Sequence, residues 1–209
     1  MKILVTGFEP FNGADINPSQ ELVKHLKAPK GTILIKEILP VEFKKTTVRI
    51  HELLREHQPD VAISIGQAGG RKEICVERVA INLDNVRASG GVHMLPDNAG
   101  DAPVDQPIEA DGENAYFSTL PVWEMVKAIQ DRNVPGAVSY SAGTYVCNHV
   151  MYRLLYEGAR NYPEMKAGFI HVPFLPKQLE MMENPAQRCA MLLSDMVAGV
   201  QAALDLFAV

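Results

Sequence analysis

The 209-residue sequence has few cysteines and no long apolar run, and each absence narrows the possible classes of protein. Its cysteines, Cys75, Cys147 and Cys189, are too few for a disulfide framework, and none is paired at the CxxC spacing of a zinc site. The histidines show no metal-ligand spacing such as HExxH. The apolar runs are too short to span a bilayer. We therefore expect no structural zinc site and no membrane partner.

Positive charge is also scarce, which argues against nucleic acid as a partner. The 20 Lys and Arg residues are outnumbered by 25 Asp and Glu residues, for a formal charge of -5, and they form no basic stripe. The chain starts with a strand-like run, Met1–Gly7, instead of the longer apolar stretch of a signal peptide. We therefore expect a cytoplasmic protein. The length predicts one domain, residues 1–209, around a single sizeable core.

Strand-like and helix-like patterns alternate along the chain, which predicts an α/β sandwich with a largely parallel sheet. The predicted strands cover residues 2–6, 32–39, 60–66, 74–83, 137–141 and 168–172. The predicted helices cover residues 18–27, 41–57, 121–132, 146–156 and 186–207. The long irregular stretch 85–114 is rich in Gly, Pro, Asp and Asn. Such a stretch is either a functional lid or contact surface, or a tolerated surface insertion.

Cys147 is the candidate nucleophile of the chain. It lies where a small glycine-containing turn, Ser141–Thr144, gives way to an apolar helical run. The positive end of a helix favours a thiolate, although a free cysteine more often fills a core. Cys75, on an alternating strand, and Cys189, within a predicted helix, are assigned to that core role.

A catalytic thiol needs an imidazole as proton acceptor, and His171 is the candidate. It lies near the end of the strand predicted over 168–172, and ligand sites in α/β sheets gather beyond the carboxyl ends of strands. His149 is nearer in sequence, but residues two apart on a helix point in nearly opposite directions. His149 is therefore expected to face away from Cys147.

Glu77 is the candidate group that orients the imidazole. Alternation along 74–83 places this carboxylate on an otherwise apolar strand face, where it is costly unless it is paired. A histidine partner meets that need. A salt bridge between Glu77 and an arginine at a sheet edge meets it equally well, so the sequence leaves both partners open.

Several blocks of the sequence resemble the pyroglutamyl peptidase type I (pyrrolidone-carboxylate peptidase) family. The resemblance runs from Lys2 to Pro176 and rests on the blocks Thr6–Phe11, Gly66–Arg71, Val76–Asn82, Ser141–His149, Phe169–Pro173 and Leu175–Pro176. It implies a three-layer α/β/α sandwich around a mostly parallel, mixed sheet. It also implies a cytosolic cysteine peptidase, often a homotetramer or another homo-oligomer. Such an enzyme removes N-terminal pyroglutamyl residues from small peptides without metal or cofactor.

The resemblance also implies roles for individual residues. Cys147 is expected to be the nucleophile, His171 the general base and acid, and Glu77 the orienting carboxylate. Arg87 is expected close to the reacting carbonyl. The pyroglutamyl ring is flat and uncharged, and aromatic walls with a few fixed polar groups suit it. The implied substrate-binding residues are Phe8, Phe11, Gln67, Tyr145 and Val146.

One departure from the family pattern and three other interpretations remain open. The segment Ala88–Leu95 stands as an insertion between Arg87 and the turn at Pro96, beside the expected site. Phe8 and Phe11 are also compatible with core packing. The run Gly69–Arg71 is a weak indication of a nucleoside-phosphorylase-like enzyme, and a catalytically inactive, oligomeric binding protein of the same fold is a non-enzymatic interpretation.

Overall fold

The computed structural model describes residues 1–87, 95–180 and 189–209, and within them strands form one large sheet and one small sheet. The strands are β1 (Lys2–Phe8), β2 (Ile33–Leu39), β3 (Val61–Gln67), β4 (Ile74–Glu77), β5 (Val79–Ile81), β6 (Ala115–Phe117), β7 (Gly136–Ser139) and β8 (Lys166–Val172). The large sheet has the order β2-β1-β3-β8-β4-β7, and β5 pairs with β6 in the small sheet. Strands β2, β1, β3 and β8 are parallel, while β4 runs antiparallel to β8 and parallel to β7. The prediction of a mostly parallel, mixed sheet is confirmed.

Helices cover both faces of the large sheet. They are α1 (Pro18–His25), α2 (Phe43–His57), α3 (Val122–Gln130), α4 (Val146–Asn161), α5 (Pro176–Leu179) and α6 (Leu193–Leu204), with a 3-10 turn at Asp205–Phe207. Alternate strand side chains enter two apolar cores, because successive residues of a strand point to opposite faces. One core packs against α1, α3 and α6, and the other packs against α2 and α4. The three-layer sandwich is therefore as predicted.

The first helix shows why a local sequence pattern can place a helix start. Asn17 is the N-cap of α1, and its side-chain oxygen accepts a hydrogen bond from the Ser19 backbone N–H at 3.0 Å. Pro18 occupies the first helical position, where its missing N–H costs nothing. Helix α2, by contrast, begins at Phe43, two residues after the predicted start.

Two sequence-based predictions of elements are wrong. The predicted strand 74–83 is broken at Arg78, since β4 belongs to the large sheet and β5 to the small one. All four residues of β4 are buried, so burial does not alternate along this strand. The predicted closing helix 186–207 begins only at Leu193, and its residues 186–188 lie outside the described residues. Cys189 therefore lies before this helix and not within it.

Other elements differ in length or were missed. Helix α4 continues to Asn161, beyond the predicted end, and the short elements β6 and α5 were not predicted. None of the helices in the described ranges has the length and apolar character needed to cross a membrane.

Candidate active site

The Cys147 thiol lies over the carboxyl ends of β3 and β8, at the start of α4. Gly143 has a φ of +80°, which favours glycine, in the loop that turns the chain from β7 into this helix. A methyl group at Gly66 would lie only 2.9 Å from Cys147 Sγ. Gly66 pairs in register with His171 on β8, and paired residues of neighbouring strands point to the same face. The thiol therefore lies above the sheet face from which His171 projects.

His171 and Glu77 form a buried hydrogen-bonded pair on adjacent strands. His171 Nδ1 lies 2.7 Å from Glu77 Oε1, and both side chains are buried. This contact leaves Nε2 of the ring as the nitrogen available to another group. The Phe169 ring packs against the imidazole, with ring centroids 4.7 Å apart, and so restricts its rotation. Two residues that lie 94 positions apart in the sequence are thus brought together.

Arg71 also binds Glu77, so both partners left open by the sequence are present. Arg71 Nη1 donates to Glu77 Oε1 at 2.6 Å, and Nη2 donates to the Ser141 carbonyl at 2.8 Å. The guanidinium therefore ties the carboxylate to the turn that precedes Cys147. Glu77 Oε2 has no hydrogen-bond partner among the described residues. The salt bridge between Glu77 and an arginine, which the sequence left open, was the signal for this contact, although it did not single out Arg71.

The charges in this cluster are set by competition between burial and pairing. Burial alone would raise the pKa of Glu77, but the hydrogen bond and charge of His171, with help from Ser139 and Arg71, lower it. Burial lowers the pKa of His171, against the opposing effect of Glu77. The permanent charge on Arg71 favours the Glu77 carboxylate whatever the state of the ring. These effects favour an ionised Glu77 beside a neutral His171.

The surroundings of Cys147 favour the protonated thiol, contrary to the expectation that the helix start favours a thiolate. Burial raises the pKa of Cys147 to about 12, and the negative charge of Glu77 acts in the same direction. The charge of Arg71 and a backbone hydrogen bond oppose the rise without cancelling it. No hydrogen bond joins Sγ to the His171 ring in the described part of the chain, and such contacts often tighten only with substrate bound.

All five residues expected to bind substrate line one small cavity together with Cys147. The cavity has a volume of about 40 Å³, and its lining consists of Phe8, Phe11, Asn17, Val41, Gln67, Tyr145, Val146 and Cys147. Phe8 is buried and also packs against Phe169, so its core role and its place in the cavity coexist. Asn17 and Val41 were not predicted, because only the folded chain brings them to this wall. A larger cavity of about 480 Å³ shares Phe11 and Gln67 with the small one.

The walls of the small cavity are held by the turn that follows the predicted insertion. Asn98 Nδ2 donates to Glu9 Oε1 at 2.9 Å and to the Pro10 carbonyl at 3.0 Å, which fixes the loop between Phe8 and Phe11. The Tyr145 hydroxyl donates to the Pro96 carbonyl at 3.2 Å. One turn therefore braces both aromatic sides of the cavity.

The side chains of the consecutive residues Cys147, Asn148 and His149 lie in three different environments. Asn148 hydrogen-bonds the Ile81 backbone N–H at 3.0 Å and the Ile81 carbonyl at 2.9 Å, which fastens β5 to α4. His149 Nδ1 lies 2.8 Å from Asp84 Oδ2, and Nε2 lies 2.6 Å from Thr47 Oγ1. Both ring nitrogens of His149 are therefore occupied away from the thiol, as the helix geometry predicts.

Arg87 is exposed, and its expected approach to the reacting carbonyl stays a prediction. Its backbone N–H bonds Asn85 Oδ1 at 3.4 Å, and its side chain has no ion pair with the described residues. Seven residues that follow it, 88–94, lie outside the described residues and include nearly all of the predicted insertion. In the described ranges, no group of three or more His, Cys, Asp or Glu side chains is placed to hold a metal ion.

Comparison with known proteins identifies the family. A statistical model of the pyroglutamyl peptidase family matches residues 1–208. Pyrrolidone-carboxylate peptidase 1 of Caldanaerobacter subterraneus subsp. tengcongensis is 48% identical over 206 residues, which cover 98% of this chain and 96% of the relative. Pyrrolidone-carboxylate peptidase of Thermosipho africanus is 46% identical over 206 residues, covering 98% of this chain and 97% of the relative.

Solved structures agree with the sequence matches. Pyroglutamyl peptidase I of Bacillus amyloliquefaciens superimposes with a TM-score of 0.89 at 39% identity, covering 98% of this chain and 95% of that structure. A mutant pyrrolidone carboxyl peptidase of Pyrococcus furiosus gives a TM-score of 0.90 at 37% identity, covering 99% and 97%. These matches give no support to the nucleoside-phosphorylase interpretation or to the inactive binding protein. The chain belongs to the pyroglutamyl peptidase family.

Proposed function

We propose that this chain is a cysteine omega-peptidase that removes the N-terminal pyroglutamyl residue from peptides through a thioester intermediate. The observation that carries the proposal is the convergence of a thiol, a buried His–Glu pair and an aromatic cavity at one edge of the sheet. Cys147 opens into the cavity that Phe8, Phe11 and Tyr145 line. The family match over residues 1–208 supports the same activity, carried by one peptidase domain over 1–209.

Catalysis begins with proton transfer because the resting thiol is protonated. In this proposal, His171 Nε2 takes the proton from Cys147 as Sγ attacks the pyroglutamyl carbonyl carbon and forms a carbon–sulfur bond. Glu77 accepts the Nδ1–H hydrogen bond, which fixes the ring tautomer and stabilises the imidazolium that forms. Arg71 keeps Glu77 ionised throughout, so the proton remains on the imidazolium and does not pass to the carboxylate.

The negative oxygen of the tetrahedral intermediate needs donors, and the first turn of α4 provides them. The backbone N–H groups of the first helical residues, Val146, Cys147 and Asn148, have no partner within the helix. No side chain within the described ranges caps this turn. These N–H groups are therefore available to an oxyanion next to Sγ. The role of Arg87 near the carbonyl stays a prediction.

Collapse of the intermediate completes the acyl transfer. The carbon–nitrogen bond breaks, and the imidazolium of His171 gives its proton to the leaving amine. A water molecule then attacks the thioester, with His171 accepting a proton from that water. The carbon–sulfur bond breaks, pyroglutamate leaves, and the Cys147 sulfur regains a proton from the ring.

Specificity for the pyroglutamyl ring follows from the character of the cavity. Phe8, Phe11 and Tyr145 provide aromatic surface for a flat ring, and Gln67 provides a polar amide. Among the described residues, the lining holds no carboxylate that would pair with the α-ammonium group of an ordinary N-terminus. Peptides with a free N-terminal amine therefore pay a desolvation cost that pyroglutamyl peptides avoid.

Quaternary structure and location are part of the same proposal. We infer a homo-oligomer, a dimer or a tetramer, in the cytoplasm, on the strength of the family resemblance. Size-exclusion chromatography with light scattering measures the number of subunits directly.

The experiment that tests the activity compares a pyroglutamyl chromogenic amide with the corresponding prolyl amide. We expect hydrolysis of the pyroglutamyl amide alone. Cys147→Ser should lower the rate by orders of magnitude, while the control Cys189→Ser leaves it within about twofold. Comparable turnover of the prolyl amide, or near-normal activity of Cys147→Ser, would overturn the proposal.

A further inference from the structure

Gln178, in the short helix α5, has a buried side chain that no step of the proposed mechanism uses. Its amide contacts three groups on three different segments. The side-chain oxygen accepts a hydrogen bond from the Leu175 backbone N–H at 2.9 Å. The side-chain NH2 donates to the Ile16 carbonyl at 3.3 Å and to Gln67 Oε1 at 2.8 Å.

The two backbone contacts determine which way the Gln178 amide faces. A backbone N–H can only donate and a backbone carbonyl can only accept. The Leu175 N–H therefore requires an oxygen, and the Ile16 carbonyl requires an NH2 group. A flip of the Gln178 amide would set donor against donor and acceptor against acceptor. The NH2 group is thus held on the side of Gln67.

The orientation of Gln178 is passed on to Gln67. The atom of Gln67 that receives the Gln178 NH2 group must be its oxygen, so the NH2 group of Gln67 points away from Gln178. That NH2 group donates no hydrogen bond to any of the described residues. Gln67 lines both the small cavity beside Cys147 and the larger cavity, whereas Gln178 is in the lining of the larger one, so the Gln67 NH2 group that points away from Gln178 is free to donate to a ligand.

A free NH2 group selects a ligand that presents an acceptor. The pyroglutamyl ring presents one, its lactam carbonyl, whereas a prolyl ring has a methylene at that place. We propose that Gln178 is a positioning residue that fixes the Gln67 amide so that its NH2 group donates to the ring carbonyl of the substrate. The inference rests on the proposed function, since it assigns one contact within the same cavity.

Two substitutions of Gln178 have different consequences under this proposal. Gln178→Met removes the hydrogen bond to Gln67 Oε1 and leaves the Gln67 amide free to turn. Gln178→Glu presents only acceptors, so the Gln67 NH2 group turns toward it and the Gln67 oxygen turns to the cavity. Two oxygens then face each other when the ring carbonyl binds. The glutamate variant should therefore be the worse of the two for ring binding.

Binding of free pyrrolidone tests the contact without any chemical step, because this lactam has the ring carbonyl and no scissile bond. We expect its Kd to rise about threefold in Gln178→Met and about tenfold or more in Gln178→Glu. The KM for a pyroglutamyl amide should rise in parallel, with kcat within about threefold of the parent. Alkylation of Cys147 should keep its rate, which shows that the thiol has not moved.

Gln201 supplies a matched control on the other side of the molecule. Its amide also bridges backbone groups, accepting from the Lys27 N–H at 2.8 Å and donating to the Lys27 carbonyl at 3.1 Å. Gln201→Met should cost some stability and leave the pyrrolidone Kd within about twofold. A second control combines each Gln178 variant with Gln67→Met. This substitution removes the amide that Gln178 orients, so neither Gln178 variant should weaken pyrrolidone binding further.

The outcomes separate this inference from the proposed function. The inference is overturned if the folded Gln178 variants bind pyrrolidone with the same Kd as the parent protein. It is also overturned if they raise the Kd by the same factor in the Gln67→Met background as in the parent background. If Gln178→Glu does not fold, Gln178→Met alone gives the answer in the same two backgrounds. If the parent protein binds pyrrolidone but does not hydrolyse the pyroglutamyl amide, the proposed function is contradicted. The pyrrolidone Kd values of the Gln178 variants still test the positioning role in that case.

Discussion

Gly66 offers a direct test of where the Cys147 sulfur lies, because the side chain of alanine at this position would come too close to the thiol. The added methyl group would lie 2.9 Å from Cys147 Sγ and 2.8 Å from Phe169 Cζ. Ordinary contacts begin near 3.4 Å, so the sulfur must retreat by roughly 0.5 Å and the ring by roughly 0.6 Å. Phe169 packs against His171, so both reacting groups are disturbed together.

The size of the effect follows from the precision that catalysis requires. A misplacement of about 1 Å can cost about 100-fold in rate, so we expect Gly66→Ala to lower kcat by roughly 10- to 100-fold. Overpacking of the core should also lower the free energy of unfolding by about 1–3 kcal/mol. Steady-state kinetics with a pyroglutamyl amide measures kcat, and urea unfolding measures the stability.

Gly158 provides the matched control for this substitution. It lies in helix α4, and a methyl group there meets only Met165 Cε, at 3.6 Å. Gly158→Ala should therefore keep kcat and gain up to about 1 kcal/mol of stability from helix propensity. If Gly66→Ala turns over as fast as Gly158→Ala, the thiol does not lie over Gly66 and the site geometry is wrong.

Three further predictions follow from the charges around the site. Arg71→Met removes a charged partner of buried Glu77. We therefore expect kcat to fall at least about tenfold and the free energy of unfolding to fall by about 1–3 kcal/mol. An unchanged kcat would refute the role of Arg71. Because the pKa of Cys147 is raised to about 12, its alkylation by iodoacetamide should accelerate about tenfold per pH unit through the neutral range. A plateau near neutral pH would instead indicate a preformed thiolate. His149→Ala removes the imidazole that hydrogen-bonds buried Asp84. It should lower the free energy of unfolding by about 1–3 kcal/mol while kcat stays within about threefold. A large loss of kcat with unchanged stability would indicate that His149 takes part in catalysis.

The sequence was sufficient to predict the fold class and to bring the main candidate residues into one hypothesis. The alternation of strands and helices predicted the sandwich, and the position of His171 at a strand end predicted its approach to the start of α4. These features are local, so a single chain segment reveals each of them. The direction in which His149 points followed equally from helix geometry.

The remaining features depend on contacts between distant segments. Alternation could not separate β4 from β5, because β4 is buried on both faces and the break at Arg78 comes from its pairing partners. The same holds for Arg71, since the sequence showed that Glu77 needs a partner but not that two partners share one oxygen. The protonated state of Cys147 likewise results from burial, which outweighs the helix start.

The most direct test of the central claim is to identify the residue that carries the acyl group during turnover. A pyroglutamyl ester mixed with the enzyme, quenched in acid and digested, should give a thioester on the peptide that contains Cys147. Mass spectrometry of that digest locates the added pyroglutamyl group. An acyl group on Cys75 or Cys189, or active turnover with no acylated cysteine at all, would contradict the account.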